Sequence, residues 1–393
     1  MAAKSGQAYK SAVINSLRRF RDRYFPYTDK VIKDGIPPVN DAAEPCQPGY
    51  LDNLPVDVQF LIMTFLSPAD ICRLGATSRY WRAMVRDPLL WRYFLFRDMP
   101  YWTSIDHLTM PQMDAPVIHE DESLEDREEG SDKGLELKFD YMSEYLKGCP
   151  SCRQQWLPSR PAYEVVTSFL QSLVPSPEPR YAMFGPGMEE LDVSLVTRLL
   201  HYPDVLPISG ISHRQINGVG SGISYIFNKQ HKFNILTLYS TFRAEREQAR
   251  MQQQSIGSKL FISEGLDETG CPVYSPAPQV QQVCQVVDGF IYVANAEPGR
   301  GDNTSEAAHI RAVLSSGRVT STRPLLVLSC IAREDPETAR NQASHRTPCV
   351  DMAKRLKLPK MANPWMVQDV VAESLAGLLD GISWLLKCSG VKL

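Results

Sequence analysis

Apolar residues recur at helical spacing in two blocks near the N-terminus and gather into short unbroken runs through the C-terminal half, and that contrast divides the chain. In residues 11 to 25, SAVINSLRRFRDRYF, Val13, Ile14, Leu17, Phe20 and Tyr24 share helical spacing, with Arg18, Arg19, Arg21 and Arg23 between them. The pattern predicts a basic amphipathic helix, suited to docking on its own protein or on a second copy more than to a membrane surface. Pro37, Pro38, Pro45 and Pro48 then mark a linker. From Leu54 to about Leu95 the periodicity predicts several short helices in succession, punctuated by Pro55, by Ser67-Pro68-Ala69-Asp70 and by Asp87-Pro88.

Residues 119–136, HEDESLEDREEGSDKGLE, are dense in like charge and poor in apolar side chains, which predicts a solvated mobile segment. Helix-like FDYMSEYLKG and AYEVVTSFLQSL flank it on the C-terminal side. Strands are expected at 180–185, 222–228, 232–240, 289–296, 324–330 and 365–370. FIYVA and LLVL are continuously apolar, as in strands covered on both faces, whereas ISYIFNKQ is mixed and suggests a sheet edge. The expected layout is an N-terminal helix and linker over 1–50, an all-α bundle over 51–97, a helical linker region over 98–178, and an α/β domain with a central mostly parallel sheet over 179–388.

The all-α segment holds more large apolar residues than so small a bundle can hide. Val58, Leu61, Ile62, Phe65 and Leu66 cover most of a helix circumference, and Trp81 and Trp91 add two indoles. A foreign helical surface is the natural cover for them. Pro55 suits a first helical turn, where its missing N–H costs nothing, and the charge of Asp70 suits the exposed amides at the next helix start. A Leu-Pro opening, then Phe-Leu-Ser-Pro, Asp-Ile-Cys-Arg-Leu, Ser-Arg-Tyr-Trp-Arg and Asp-Pro-Leu-Leu-Trp-Arg closely resemble the F-box motif in order and spacing. The resemblance implies docking on a Skp adaptor, which bridges to a cullin scaffold and its RING subunit, with no chemistry performed by the F-box itself. Leu54, Pro55, Ile62, Leu66, Leu74, Trp81 and Trp91 are the expected adaptor-binding residues.

YAMFGPGMEELDVSLVTRLL has the strand-turn-helix outline of a phosphate loop, but its residues do not suit one. With Gly185 as the first glycine, Glu190 takes the place of the second, Leu191 that of the lysine and Asp192 that of the magnesium-binding hydroxyl. Glu189 and Glu190 would repel phosphate, and Ile331-Ala332-Arg333-Glu334-Asp335 lacks a guanine-reading Asn-Lys-x-Asp. The order of elements nonetheless resembles a small GTPase, VDGFIYVANA its fourth strand, and PWMVQDVVAESLAGLLDGISWLL the last strand and helix of the ADP-ribosylation-factor branch. A nucleotide-binding GTPase-like regulator fused to an F-box is the alternative reading, and the missing lysine argues against it.

Taken together the chain resembles a branch of F-box receptors that carry a degenerate GTPase-like domain. That resemblance implies substrate recruitment for ubiquitination and proteasomal degradation, a telomeric repeat-binding factor and a D-type cyclin as substrates, and homodimerisation through the N-terminal portion. It also implies phosphorylation near the N-terminus, where this sequence has no Ser-Pro or Thr-Pro. If the strand at 222–228 is an edge, a substrate strand could add to it, with Ile223, Tyr225 and Phe227 on one face for selectivity.

At 393 residues the chain exceeds one hydrophobic core, in keeping with two domains. Its net charge of -3 disfavours direct nucleic-acid binding. There is no long apolar run or secretory leader, so no membrane partner is expected, and the chain reads as cytoplasmic or nuclear. Nine cysteines, odd and scattered, read as reduced thiols. Cys149-Pro-Ser-Cys152 has half-site spacing, but zinc needs four ligands and His345 and Cys349 lie far off, so no metal is expected. His213, His231, His309 and His345 accompany no nucleophile, and Cys330 has no activating partner. Ser176, Ser275 and Thr347 precede prolines. Neither a cofactor nor catalysis is expected.

Overall fold

The computed structural model describes residues 49–112, 139–153, 178–211, 220–239, 260–267, 270, 272–298, 304–316, 323–334 and 346–393. The expected N-terminal helix, the acidic run, the helix at 162–173, Ser176, His213 and His345 lie outside them. Two compact units emerge, one within Met1–Arg97 and Met113–Tyr145, the other within Asp98–Gln112 and Leu146–Leu393.

The first unit is helical: α1 (Val56–Phe65), α2 (Pro68–Thr77), α3 (Arg79–Met84), α4 (Pro88–Asp98) and the start of α5 (Tyr141–Gly148). Serine caps set two of the boundaries. The Ser67 hydroxyl accepts from the Asp70 amide (3.2 Å) with Pro68 in the first turn of α2, and the Ser78 hydroxyl accepts from the Trp81 amide (3.2 Å) at the start of α3. Asp87 opens α4 by accepting from the Leu89 amide (2.7 Å). Phe60, Met63, Ile71, Trp91 and Phe94 form the core. α2 approaches so closely that a Cβ on Gly75 would lie 2.5 Å from the Val85 side chain.

The second unit is α/β. Its strands are β1 (Ser104–Asp106), β2 (Arg180–Phe184), β3 (Ile208–Ile211), β4 (Gly220–Phe227), β5 (His231–Leu238), β6 (Phe261–Leu266), β7 (Pro272–Pro276), β8 (Gly289–Asn295), β9 (Leu325–Ile331) and β10 (Trp365–Val371). Eight form one sheet in the order β1-β10-β9-β8-β2-β5-β4-β3, and β6 and β7 form a separate hairpin. Pairing is parallel from β10 through β9, β8 and β2 to β5, and antiparallel at β5–β4, β4–β3 and β10–β1. β8 and β9 are buried at every residue, as their unbroken apolar runs require. Helices α6 (Pro150–Arg153), α7 (Gly187–Glu190), α8 (Leu195–His201), α9 (Pro278–Val286), α10 (Thr304–Ser315), α11 (Cys349–Arg355) and α12 (Leu378–Cys388) accompany the strands.

Two expectations change. The stretch from residue 98, read as a helical linker, supplies β1, which pairs with β10. The strand at 222–228 is not an edge: β4 is hydrogen-bonded to β5 on one side and to β3 on the other. Its Ile223, Tyr225 and Phe227 are buried, so they pack in the core and offer no substrate a surface. The alternation that suggested an edge is that of a strand with one face in the core and the other half exposed. β4 turns into β5 through Asn228 and Lys229, both at positive φ (48° and 59°), with Gln230 N donating to Phe227 O (3.1 Å).

Candidate docking surface

Helix α1 is apolar on two sides. Phe60 and Met63 point into the bundle. On the other side Val58 (39%), Leu61 (56%) and Phe65 (82%) remain exposed, and Leu54 (37%) is exposed just before the helix. Steps of three and four residues set Val58, Leu61 and Phe65 in line along one helix face, and Leu54 stands in the loop that leads into it, before the extended Pro55. Pro55 is exposed at the head of the stripe, and Ile62 and Leu66 are half-buried beside it. Leu74 on α2 is half-buried as well. The C-terminal turn of α1 is tied back by Arg97, which donates to Thr64 O (3.0 Å) and lies over the Phe94 ring.

Trp81 and Trp91 are corrections. Both are buried, Trp81 at 4% exposure and Trp91 at 0%, and the reason lies in their ring nitrogens. The Trp81 indole N–H donates to Asp52 Oδ1 (2.6 Å) and that of Trp91 to Val85 O (2.6 Å), so neither indole needs water or a partner. Trp91 also stands edge-on to Phe94 and against Tyr145. They build the bundle that carries the stripe. Conversely Val58, Leu61 and Phe65, counted as surplus apolar residues but not as contacts, are the exposed apolar residues of α1, and their three-four spacing is the signal that marks them.

In the α/β unit the turn after β2 is shut. A Cβ on Gly185, whose φ is +130°, would lie 2.5 Å from Val293 O, and one on Gly187 2.9 Å from Ala294 O, so these glycines let the turn lie on β8. Glu189 is buried, and Glu190 Oε2 accepts from Asn295 Nδ2 (3.1 Å). Nearby the Tyr292 hydroxyl donates to Glu306 Oε2 (2.8 Å), which pairs with Arg355 (3.5 Å). Burial raises the Glu306 carboxyl above its ordinary range against the pull of Arg355. A second cluster joins Asp369 to Arg346 (2.8 Å) and to the Cys349 thiol, which donates to it (3.1 Å). There burial pushes Asp369 up to about 6, with Arg346 opposing.

The remaining candidates are packing residues. Burial pushes the Cys330 thiol up to about 12, far from a reactive thiolate. Among the described residues no three His, Cys, Asp or Glu side chains gather as a metal would need. His231 opens β5, and Ser275 and Thr347 are half-buried on β7 and before α11. His309 on α10 is stacked on Phe261 (4.2 Å) and lies against Tyr274 (4.4 Å), which fastens the β6–β7 hairpin to α10. Burial brings its imidazole down to about 4, so the folded state favours the neutral ring. Its contribution is complete above the unfolded value near 6.5 and is lost as pH falls toward 4. Between pH 7 and 4 the wild type should therefore lose about 1 to 2 kcal/mol more stability than His309→Phe, allowing for solvent screening of a partly exposed ring. Denaturant melts of both proteins across that range check this, and parallel pH profiles would count against it.

Comparison with known proteins gives this surface its context. The F-box-like family model matches residues 51–97. F-box only protein 4 from Homo sapiens is 48% identical over 340 residues, covering 86% of this chain and 83% of that protein. The Bos taurus protein of the same name is 47% identical over 343 residues, with the same coverage, and that of Mus musculus 47% over 353 residues, covering 88% and 86%. No helix of the described residues is long and apolar enough to cross a membrane.

Proposed function

The chain belongs to the F-box only protein 4 family, and from that premise we propose that it is the substrate-recognition subunit of a Skp-cullin-F-box ubiquitin ligase. The observation that carries the proposal is the stripe of Val58, Leu61 and Phe65, with Leu54 just before it, left exposed by a bundle whose own core is already complete without it. An apolar helix face of this kind suits the helical surface of a Skp adaptor. Through the adaptor the receptor meets the cullin and RING subunits, and it works by proximity: it raises the concentration of substrate lysines at the loaded conjugating enzyme. No residue of its own makes or breaks a bond in this reading.

Substrate recruitment is assigned to the α/β unit, read as a GTPase-like scaffold without nucleotide chemistry. The run β10-β9-β8-β2-β5-β4, parallel except for β4, supports the scaffold, and the shut turn at Gly185 and Gly187 supports the loss of the phosphate site. A telomeric repeat-binding factor and a D-type cyclin are the first substrates to try, for ubiquitination and degradation in the cytoplasm or nucleus. The deciding experiment titrates the purified full chain with the Skp adaptor and then reconstitutes the ligase with each substrate. Sub-micromolar adaptor binding with substrate ubiquitination is expected. A chain that ignores the adaptor would end the proposal.

A further inference from the structure

We propose that Gln59 is a positioning residue for adaptor docking: from inside the bundle it fixes the loop that presents Leu54 and Pro55. The inference rests on the docking reading above. Gln59 lies on α1 next to Phe60 and is 1% exposed, a costly place for a primary amide unless every polar atom is matched. It is matched, and nearly all to one short loop. Its Nε2 shares two N–H groups among Leu51 O (2.9 Å), Leu54 O (3.0 Å) and Asp52 O (3.1 Å). Its Oε1 accepts from the Tyr80 hydroxyl on α3.

The three carbonyls, which can only accept, set the direction of the amide, and the Tyr80 hydroxyl then donates to Oε1. A hydroxyl donor on Oε1 leaves the two N–H groups facing the loop, whereas the flipped amide would set an oxygen against three carbonyl oxygens. A second tie acts from the same helix, since Trp81 Nε1 donates to Asp52 Oδ1 (2.6 Å) while Asp52 Oδ2 accepts from the Gly49 amide (2.9 Å). The backbone of the loop makes two bonds of its own, from the Asp52 amide to Gly49 O (3.0 Å) and from the Leu54 amide to Leu51 O (3.3 Å). The ties that fasten residues 51 to 54 to the bundle come from side chains of α1 and α3. Leu54 and Pro55 lie at the head of the exposed stripe, so their place relative to Val58, Leu61 and Phe65 depends on those ties. A receptor whose loop holds the docking geometry only part of the time binds more weakly in proportion to that fraction.

The test compares the full-length wild type with Gln59→Met, which keeps length and volume but loses the loop donors, and with Tyr80→Phe, which loses only the hydroxyl. Adaptor association and dissociation rates are measured together with amide hydrogen exchange over residues 51 to 54. Gln59→Met should bind about tenfold more weakly, chiefly through slower association, and its Asp52 and Leu54 amides should exchange at least about tenfold faster while those inside α1 stay protected. Tyr80→Phe should move both readouts the same way by about two- to threefold. Leu54→Ala should also weaken binding less in the Gln59→Met background than in the wild type, because a misplaced contact has less to lose. A purely structural Gln59 would give additive losses. Wild-type association by Gln59→Met, or an equal cost of Leu54→Ala in both backgrounds, overturns the inference. If the wild type itself fails to bind adaptor, the docking reading falls and the proposal falls with it, while unchanged exchange in a binding-competent wild-type background would sink the positioning role alone.

Discussion

Replacing Leu61 and Phe65 together with aspartate should abolish adaptor docking while the helical unit stays folded. Both side chains are more than half exposed in the free chain, so their removal takes little from the bundle, and the helix-propensity cost of two aspartates is on the order of 1 kcal/mol. Docking is different. The variant loses the burial of a Leu and a Phe, about 1.5–3 kcal/mol for each if fully covered, and forces two carboxylates against an apolar partner. The combined loss exceeds about 4 kcal/mol, or about a thousandfold in affinity. Calorimetric titration with the adaptor, alongside a thermal melt, reads both halves of the expectation. Binding within threefold of wild type would place the docking surface elsewhere on the protein.

The largest effect on the α/β unit should come from one added methyl group. Gly377 precedes α12 at a φ of +80°, and a Cβ there would lie 2.1 Å from Asp369 O and 3.1 Å from Gln368 Nε2. The obstructing atom is backbone in β10, which is held by β9 on one side and β1 on the other, so it cannot step aside. Left-handed strain and the clash together should cost Gly377→Ala about 3 to 5 kcal/mol. Gly210 is the control: nothing lies within 4 Å of its added Cβ, and Gly210→Ala should stay within about 0.5 kcal/mol of wild type. Urea denaturation of the three proteins gives the comparison, and equal midpoints for both alanine variants would refute it.

The sequence makes the elements legible better than their neighbours. All six expected strands form, because FIYVA, LLVL and their like have no other stable use in a chain of this kind. What local pattern does not carry is pairing. β3 spans only Ile208–Ile211, a Ser-Gly pair between two isoleucines, too short and too polar at its centre to announce a strand, yet it takes β4 from the edge to the interior. β1 is three residues long and gives no more warning. The hairpin of β6 and β7 carries Ile262 and Leu266 outward and is fastened through His309, a residue that reads in sequence as an isolated histidine.

The docking surface shows the same limit on a smaller scale. A surplus of apolar residues over Leu54 to Trp91 can be counted from the sequence, but which of them is the surplus depends on packing. Indoles look like the extra ones because they are large, and they turn out to be satisfied from within by Asp52 and Val85. Gln59 carries the opposite disguise. A glutamine in an amphipathic helix reads as solvent-facing, and only the three loop carbonyls around it show why the bundle keeps it inside.

Phe65, four-fifths bare on a folded protein, also bears on how long an orphan copy survives. Water-exposed grease of that kind invites self-association and chaperone capture, and a copy that finds no companion spends its life open to both. Binding holds the folded form by mass action, so the receptor's abundance should track its companion's supply. Production in an adaptor-poor host should then yield aggregate, and co-production soluble complex, from an unchanged sequence.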